Sequence, residues 1–313
     1  MLPCAAGSHH WPGGRGGVHG TVRAIAMFFT HRMPPHKRAR PIRNAVERVL
    51  NAALLGGRVA GLSYRFGGLG RARVTHHAID LPPSQRLERP LRIGFASDFH
   101  AGPTTSPAVF DDLLACVRAE APDVLLLGGD YVVFDAHNVA ALRAFLAAAR
   151  APLGTYAVVG NHDVWNGRAD IEAALRAAGV DVLVNRNVAL PAPFGAVSVC
   201  GIDEPWTGEP SAADTFAGAG AVRLYLMHSP DGLFRLDGER FDVGFAGHTH
   251  GGQIARRDGA PLFHPSGPCS RDYAYGRFDV PGNGPLIVSC GVGCSGIPLR
   301  VNADPELVIC TLR

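Results

Sequence analysis

From residue 91 onward, short apolar runs recur along the chain, many of them ended by Gly, Asp, Asn or His. Residues 124–127 are continuously hydrophobic, as a strand buried on both faces is, and 91–97 and 155–159 read as further strands. Between them the period becomes helical. Residues 106–121 carry Ser106 at the N-cap position and Pro107 in the first turn, 138–150 are rich in alanine, and 168–178 stop at Gly179. Strands then crowd together, at 182–184, 188–190, 197–200, 222–227, 242–246, 286–289 and 307–312. Alternation first and crowding later predict an α/β fold, a layered α-β-β-α sandwich with two sheets inside and helices outside.

Upstream the pattern differs. Residues 1–40 are rich in Gly, Pro, His and Arg without sustained periodicity, which predicts disorder. In 42–62, Ile42, Val46, Val49, Leu50, Ala53 and Leu54 recur at helical spacing with polar residues opposite, predicting an amphipathic helix with basic flanks. Arg58 and Gly56-Gly57 argue against a transmembrane segment, so this helix lies in a membrane interface or packs on its own domain. The apolar stretch 21–29 is too short to span a bilayer or to act as a signal segment. Residues 63–90 read as a lead-in strand and linker. The expected division is a basic N-terminal region, 1–88, with the helix at 42–62, and a catalytic domain over 89–313. Met27 and Met33 are candidate starts of translation.

Composition changes this picture in two ways. The 313 residues, 47% hydrophobic and 18% charged, suffice for one large core. Charge is unevenly spread: residues 1–90 hold 14 of the 30 Lys and Arg but 3 of the 27 Asp and Glu, a formal +11, while the rest holds 16 and 24, a formal −8. A basic arm suits an anionic membrane or a nucleic acid, or is a solvated tail. The seven cysteines form no C-x-x-C pair, and Cys116, Cys200 and Cys310 sit in apolar runs as small hydrophobes. Nothing requires an oxidising compartment. The expected location is cytoplasmic, peripheral at the inner membrane. Gly13-Gly14-Arg15-Gly16-Gly17 lacks the strand and the Lys-Ser/Thr of a phosphate loop, and no Ser sits in a Gly-x-Ser-x-Gly setting.

The chemistry lies where the strands end. Five ends finish in residues that ligate metals: Asp98 with His100, Asp130, Asn161 with His162, His228, and His248 with His250. Carboxyl ends of parallel strands converge in space. One such end means little; five with the same chemistry define a site. The donors are oxygen and imidazole without thiolate, which suits Mn, Fe or Zn, and they exceed the needs of one ion. A pair of ions sharing a carboxylate, ~3.5–4 Å apart, clamps a phosphate and generates a hydroxide nucleophile at neutral pH. Residues 258–285, with Arg256 and Arg257 just before them and Arg271, Tyr273 and Tyr275 within, are either a substrate-facing loop or an exposed basic one. His76, His77, His137 and His264 fall outside the motifs.

The ordered blocks Asp98-x-His100, Gly-Gly-Asp130, Gly-Asn161-His162-Asp163, His228 and Gly-His248-x-His250 resemble the calcineurin-like metallophosphoesterases. The match runs from Leu91 to the C-terminus with no ligand missing; Phe99 stands where Leu is commoner. Ser-Asp-Phe-His, Ala-Gly-His-Thr-His-Gly-Gly-Gln and the closing Ile-Pro-Leu-Arg look like a bacterial branch of small phosphodiesterases, some of them UDP-2,3-diacylglucosamine pyrophosphohydrolases of lipid A synthesis. The resemblance implies one divalent ion on Asp98, His100, Asp130 and His250 and a second on Asp130, Asn161, His228 and His248, with Asp130 bridging. It implies a metal-activated hydroxide attacking phosphorus in line, with His162 stabilising or protonating the leaving oxygen, oriented by Asp163. The expected function is hydrolysis of a phosphodiester or pyrophosphate on a lipid-linked or nucleotide-linked substrate. The alternatives are a nuclease or cyclic-nucleotide phosphodiesterase, with nucleic acid the less favoured partner, and a non-catalytic metal-binding scaffold.

Overall fold

The structure, a computed structural model, describes Val49 and residues 51–263, 265 and 267–313. The expected disorder of 1–40 and most of the first half of the 42–62 helix lie outside these residues. Within them, the expected single helix is interrupted. Leu55, Gly56 and Gly57 have φ of +51°, +60° and +95°, which break the helix, and a new helix α1 (Arg58–Arg65) follows.

In chain order come β1 (Arg73–Ile79), β2 (Leu91–Ala96), α2 (Ala108–Glu120), β3 (Val124–Leu127), α3 (Arg143–Ala148), β4 (Thr155–Ala157), α4 (Asn161–Asn166) and α5 (Arg168–Ala177). Then follow β5 (Asp181–Val182), β6 (Arg186–Ala189), β7 (Val197–Gly201), α6 (Ala212–Phe216), β8 (Val222–Leu226), β9 (Val243–Ala246), α7 (Pro268–Asp272), β10 (Gly276–Asp279), β11 (Pro285–Val288) and β12 (Glu306–Leu312). They form two six-stranded sheets, ordered β1-β12-β2-β3-β4-β5 and β10-β11-β9-β8-β7-β6. The expected α-β-β-α layering holds. β2 to β5 run parallel, as do β7, β8, β9 and β11, so each set delivers its carboxyl ends to one edge. The sheet begins before residue 89, because β1 lies along β12 in parallel register.

Period-two side-chain placement makes three layers of core. In β3, Leu125 and Leu127 pack against the helices with Phe110 and Phe145, while Val124 and Leu126 pack between the sheets. The inter-sheet layer joins Ile93 and Phe95 to Leu224 and Phe245, with the Phe95 and Phe245 rings 5.5 Å apart. A third layer, with Phe216, Tyr225 and Phe241, covers the outer face of the second sheet. Among the described residues no helix is long and apolar enough to cross a membrane.

Phe245 is fully buried where the sheets meet. Phe245→Ala is expected to cost about 3–5 kcal/mol of stability, as large-to-small core changes do, read from the denaturant midpoint.

Candidate metal centre

Asp98 and His100 follow β2, Asp130 follows β3 through Gly128-Gly129, Asn161 and His162 open α4 after β4, His228 follows β8, and His248 and His250 follow β9. The first three ends belong to one sheet and the last two to the other, and all converge. Asp98, His100 and His250 form one cluster able to hold a metal ion; Asp130, His228 and His248 form another; His100, Asp130 and His162 overlap both. Asp130 stands between them, its Oδ2 3.6 Å from His100 Nε2 and 3.4 Å from His228 Nε2. Asn161 Oδ1 lies 3.0 Å from His228 Nε2, and His250 Nε2 lies 3.5 Å from Asp98 Oδ1.

The backbone is bent to achieve this. Asp98, His100, Asp130, His248 and His250 all have positive φ, between +42° and +70°. Left-handed backbone costs a non-glycine residue roughly 1–2 kcal/mol and gathers at functional sites. Gly129, at φ +91°, lies against the 159–160 backbone, and a Cβ there would approach Gly160 N to 2.6 Å. Hydrogen bonds between loops hold the bends: Asp98 N to Gly129 O and His100 N to Asp130 O, both 2.9 Å, and Gly247 N to His228 O, 2.8 Å.

The donor set fits divalent cations. Asp98 and Asp130 are buried carboxylates, which require compensating positive charge. His228 Nδ1 donates to the Gly128 carbonyl at 2.8 Å, so its Nε2 turns a lone pair toward Asp130, Asn161 and His248. His100 Nε2 and His250 Nε2 face each other at 3.0 Å, while His100 Nδ1 and His248 Nε2 are buried with no hydrogen-bond partner. Burial, and then His162, pushes His100 well below its usual pKa; burial and the Arg300 guanidinium do the same to His250. Neutral imidazole is the ligating form. Burial opposes ionisation of Asp130, but His228, His162 and His100 outweigh it and hold the carboxyl well below its usual range. Burial alone would lower His228; the Asp130 carboxylate raises it instead, to about 10. A proton and a metal ion therefore compete for one place on His228.

Asp163 departs from its expected partnership. Its Oδ1 accepts from Tyr131 N at 2.8 Å and its Oδ2 from Gly160 N at 2.9 Å. A fully buried carboxyl takes amides wherever loops offer them, and these tie the Asp130 loop to the Asn161 turn. The His162 ring instead lies edge-on to His100 at 4.7 Å and against Trp165 at 5.1 Å, while His162 N donates to Asp130 Oδ1 at 2.8 Å. Within the expected substrate-facing loop, Tyr275 turns to Glu306 and Arg73, Tyr273 packs on Phe278, and Arg271 is exposed; Arg256 and Arg257, just before it, are exposed too. His264 lies outside the described residues. His76 and His137 pair with Glu120 and Asp135, and His77 sits on β1.

Three residues near the centre carry no sequence assignment. Ser97 Oγ donates to Asp98 Oδ2 at 2.7 Å. Arg300, 4% exposed, spends its guanidinium on the carbonyls of Cys290, Gly293 and Ala303 and reaches His250 Nδ1 at 3.3 Å. Glu204 follows β7, buried, with Oε1 unpartnered and Oε2 bonded by Trp206 N and Thr207 Oγ1. The available signal was Asp203-Glu204 closing an apolar run, the same grammar as the other strand ends.

Residues 91–252 match the family model described as calcineurin-like phosphoesterase. The chain belongs to that family and is a metal-dependent phosphoric ester hydrolase. Among similar proteins, "Phosphodiesterase YaeI" of Escherichia coli K12 is 31% identical over 231 residues, 71% of this chain and 82% of the relative. "Uncharacterized metallophosphoesterase YkuE" of Bacillus subtilis is 26% identical over 277 residues, 83% of this chain and 95% of the relative. A solved structure, a 5'-nucleotidase precursor from Thermus thermophilus, aligns with TM-score 0.44 and 17% identity over 71% of this chain and 55% of that one.

Asp163→Ala leaves two buried amides unpaired and is expected to cost about 2–5 kcal/mol in chelator-treated protein, by denaturant unfolding. An unchanged midpoint with reduced turnover would restore Asp163 to the role of orienting His162.

Proposed function

We propose that the chain hydrolyses a phosphodiester or pyrophosphate with two divalent cations, Mn, Fe or Zn, held by Asp98, His100, Asp130 and His250 on one side and by Asp130, Asn161, His228 and His248 on the other. The observation that carries this reading is Asp130 Oδ2, which stands within 3.6 Å of His100 and 3.4 Å of His228 and so faces both clusters. When bound, such ions offset the negative charge of the phosphate and lower the pKa of water beside it. The protein's own part is to fix the geometry beforehand. His228 is set by the Gly128 carbonyl, Asp98 by Ser97 and the His248 amide, and Asp130 by the His162 amide. His162, half-buried at the rim, is the group placed to stabilise the leaving oxygen or donate its proton.

For substrate we favour a lipid-linked or nucleotide-linked phosphate such as UDP-2,3-diacylglucosamine, met at the cytoplasmic face of an anionic inner membrane. Support comes from the sequence resemblance and from the basic N-terminal stretch, which has no Asp or Glu from residue 51 to 79.

The test is Mn²⁺-dependent turnover by purified protein, with Asp130→Asn alongside and bound metal measured by elemental analysis. Asp130→Asn is expected to lose metal and at least about a hundredfold in kcat/KM on an aryl phosphodiester. UMP and lipid phosphate released from UDP-2,3-diacylglucosamine, seen by mass spectrometry, supports the substrate. Turnover of the aryl diester alone keeps the chemistry and overturns the substrate; metal binding without turnover of either favours a scaffold.

A further inference from the structure

Among the described residues, all but one of the large apolar side chains left in solvent belong to residues 49–66, 262–263 and 297–301; the other is Trp165, against His162. These segments adjoin. Ser63 Oγ donates to Pro298 O, Arg300 N to Gly68 O at 2.7 Å, Ala255 N to Val301 O at 2.8 Å and Leu262 N to Ile254 O at 2.9 Å. Phe66 is 81% exposed and Phe263 67%.

Residues 297–301 invert the usual rule. Arg300 is buried, while Ile297, Leu299 and Val301 on either side are exposed. The Arg300 guanidinium is committed to the carbonyls near His250, and the side chains of Leu299 and Val301 on either side of it are left facing out. Gln253 fixes the same segment to the centre by donating to Ile297 O and Leu299 O at 3.0 and 3.1 Å. The apolar face therefore borders the metal clusters.

Its charge selects the occupant. Arg58 and Arg65 are exposed on a stretch without Asp or Glu, Arg71 nearby pairs with Asp112 at 3.5 Å, and Arg256 and Arg257 are exposed close to Leu262 and Phe263, with Asp258 beside Arg256. A second copy across a two-fold axis would set arginines against arginines. Apolar side chains ringed by arginines match the headgroup boundary of an anionic bilayer. We propose that this face docks on an anionic phospholipid membrane, bringing the metal centre against the lipid headgroups. The proposal deepens the lipid-linked reading of the substrate and rests on it for purpose.

The test is flotation of the full chain with phosphatidylcholine vesicles, with and without phosphatidylglycerol. The protein is expected to float with the anionic vesicles only, and to be released by salt. Phe66→Ser with Phe263→Ser, and separately Arg256→Glu with Arg257→Glu, are each expected to weaken flotation by about tenfold or more, with turnover of a soluble aryl phosphodiester unchanged. Equal flotation on neutral vesicles, or full flotation by both variants, overturns the proposal. So does a dimer in sedimentation that the Phe66→Ser, Phe263→Ser variant dissolves. Flotation that behaves as expected while UDP-2,3-diacylglucosamine stays intact leaves the docking face standing and removes only that substrate.

Discussion

Everything around the centre follows from burying the Asp130 carboxylate at 2% exposure. A buried negative charge is tolerable only with positive charge or donors close by. Asp130 finds them in both sheets, in the His162 amide after β4 and in His228 from the end of β8. The carboxylate thus joins the two halves of the sandwich at their common edge. Parallel strands make that possible, since each turns its carboxyl end to the same side. Phe95 and Phe245 hold the sheets together behind it.

Holding ligands at that edge requires loops that do not relax. Five of the candidate ligands adopt left-handed backbone, a conformation that persists only where neighbours over-determine it. Here the neighbours are backbone amides crossing between loops, and polar side chains beneath them. Asp163 binds the Asp130 and Asn161 loops together. Asp231, fully buried, does similar service on the other sheet, accepting from Trp206 Nε1 at 3.0 Å and Cys269 N at 2.8 Å. The electrostatics follow from the same crowding: burial pushes His100, His248 and His250 toward the neutral form, while His228, facing Asp130, is driven toward protonation.

Arg300 links this interior to the surface. A guanidinium cannot be left buried without acceptors, and carbonyls at the ends of tight turns supply them. Fixing that side chain inward fixes the apolar ones outward, so the shape of the metal centre and the character of the nearby surface are settled by one short segment.

The amino-acid sequence by itself determined the layers and the list of candidate ligands. Both are local: continuous apolar runs such as 124–127 mark doubly covered strands, and the residue after each run is carried to the sheet edge whatever the rest of the chain does. Tertiary structure decided what depends on distant partners. β1 joins the sheet only because β12, more than two hundred residues away, leaves a free edge for it. The helix predicted over 42–62 breaks at Gly56-Gly57, where left-handed backbone interrupts the run and packing starts α1 afresh. The family resemblance implied that Asp163 orients His162; in the fold its oxygens meet the amides of Tyr131 and Gly160. Glu204 ends the run of β7 as the other strand-end residues end theirs, whereas Arg300 closes no apolar run, and its place beside His250 comes from loops meeting across fifty residues. Periodicity describes which face a side chain takes along its own element, and hydrogen bonds between loops are formed only once the elements have been brought together.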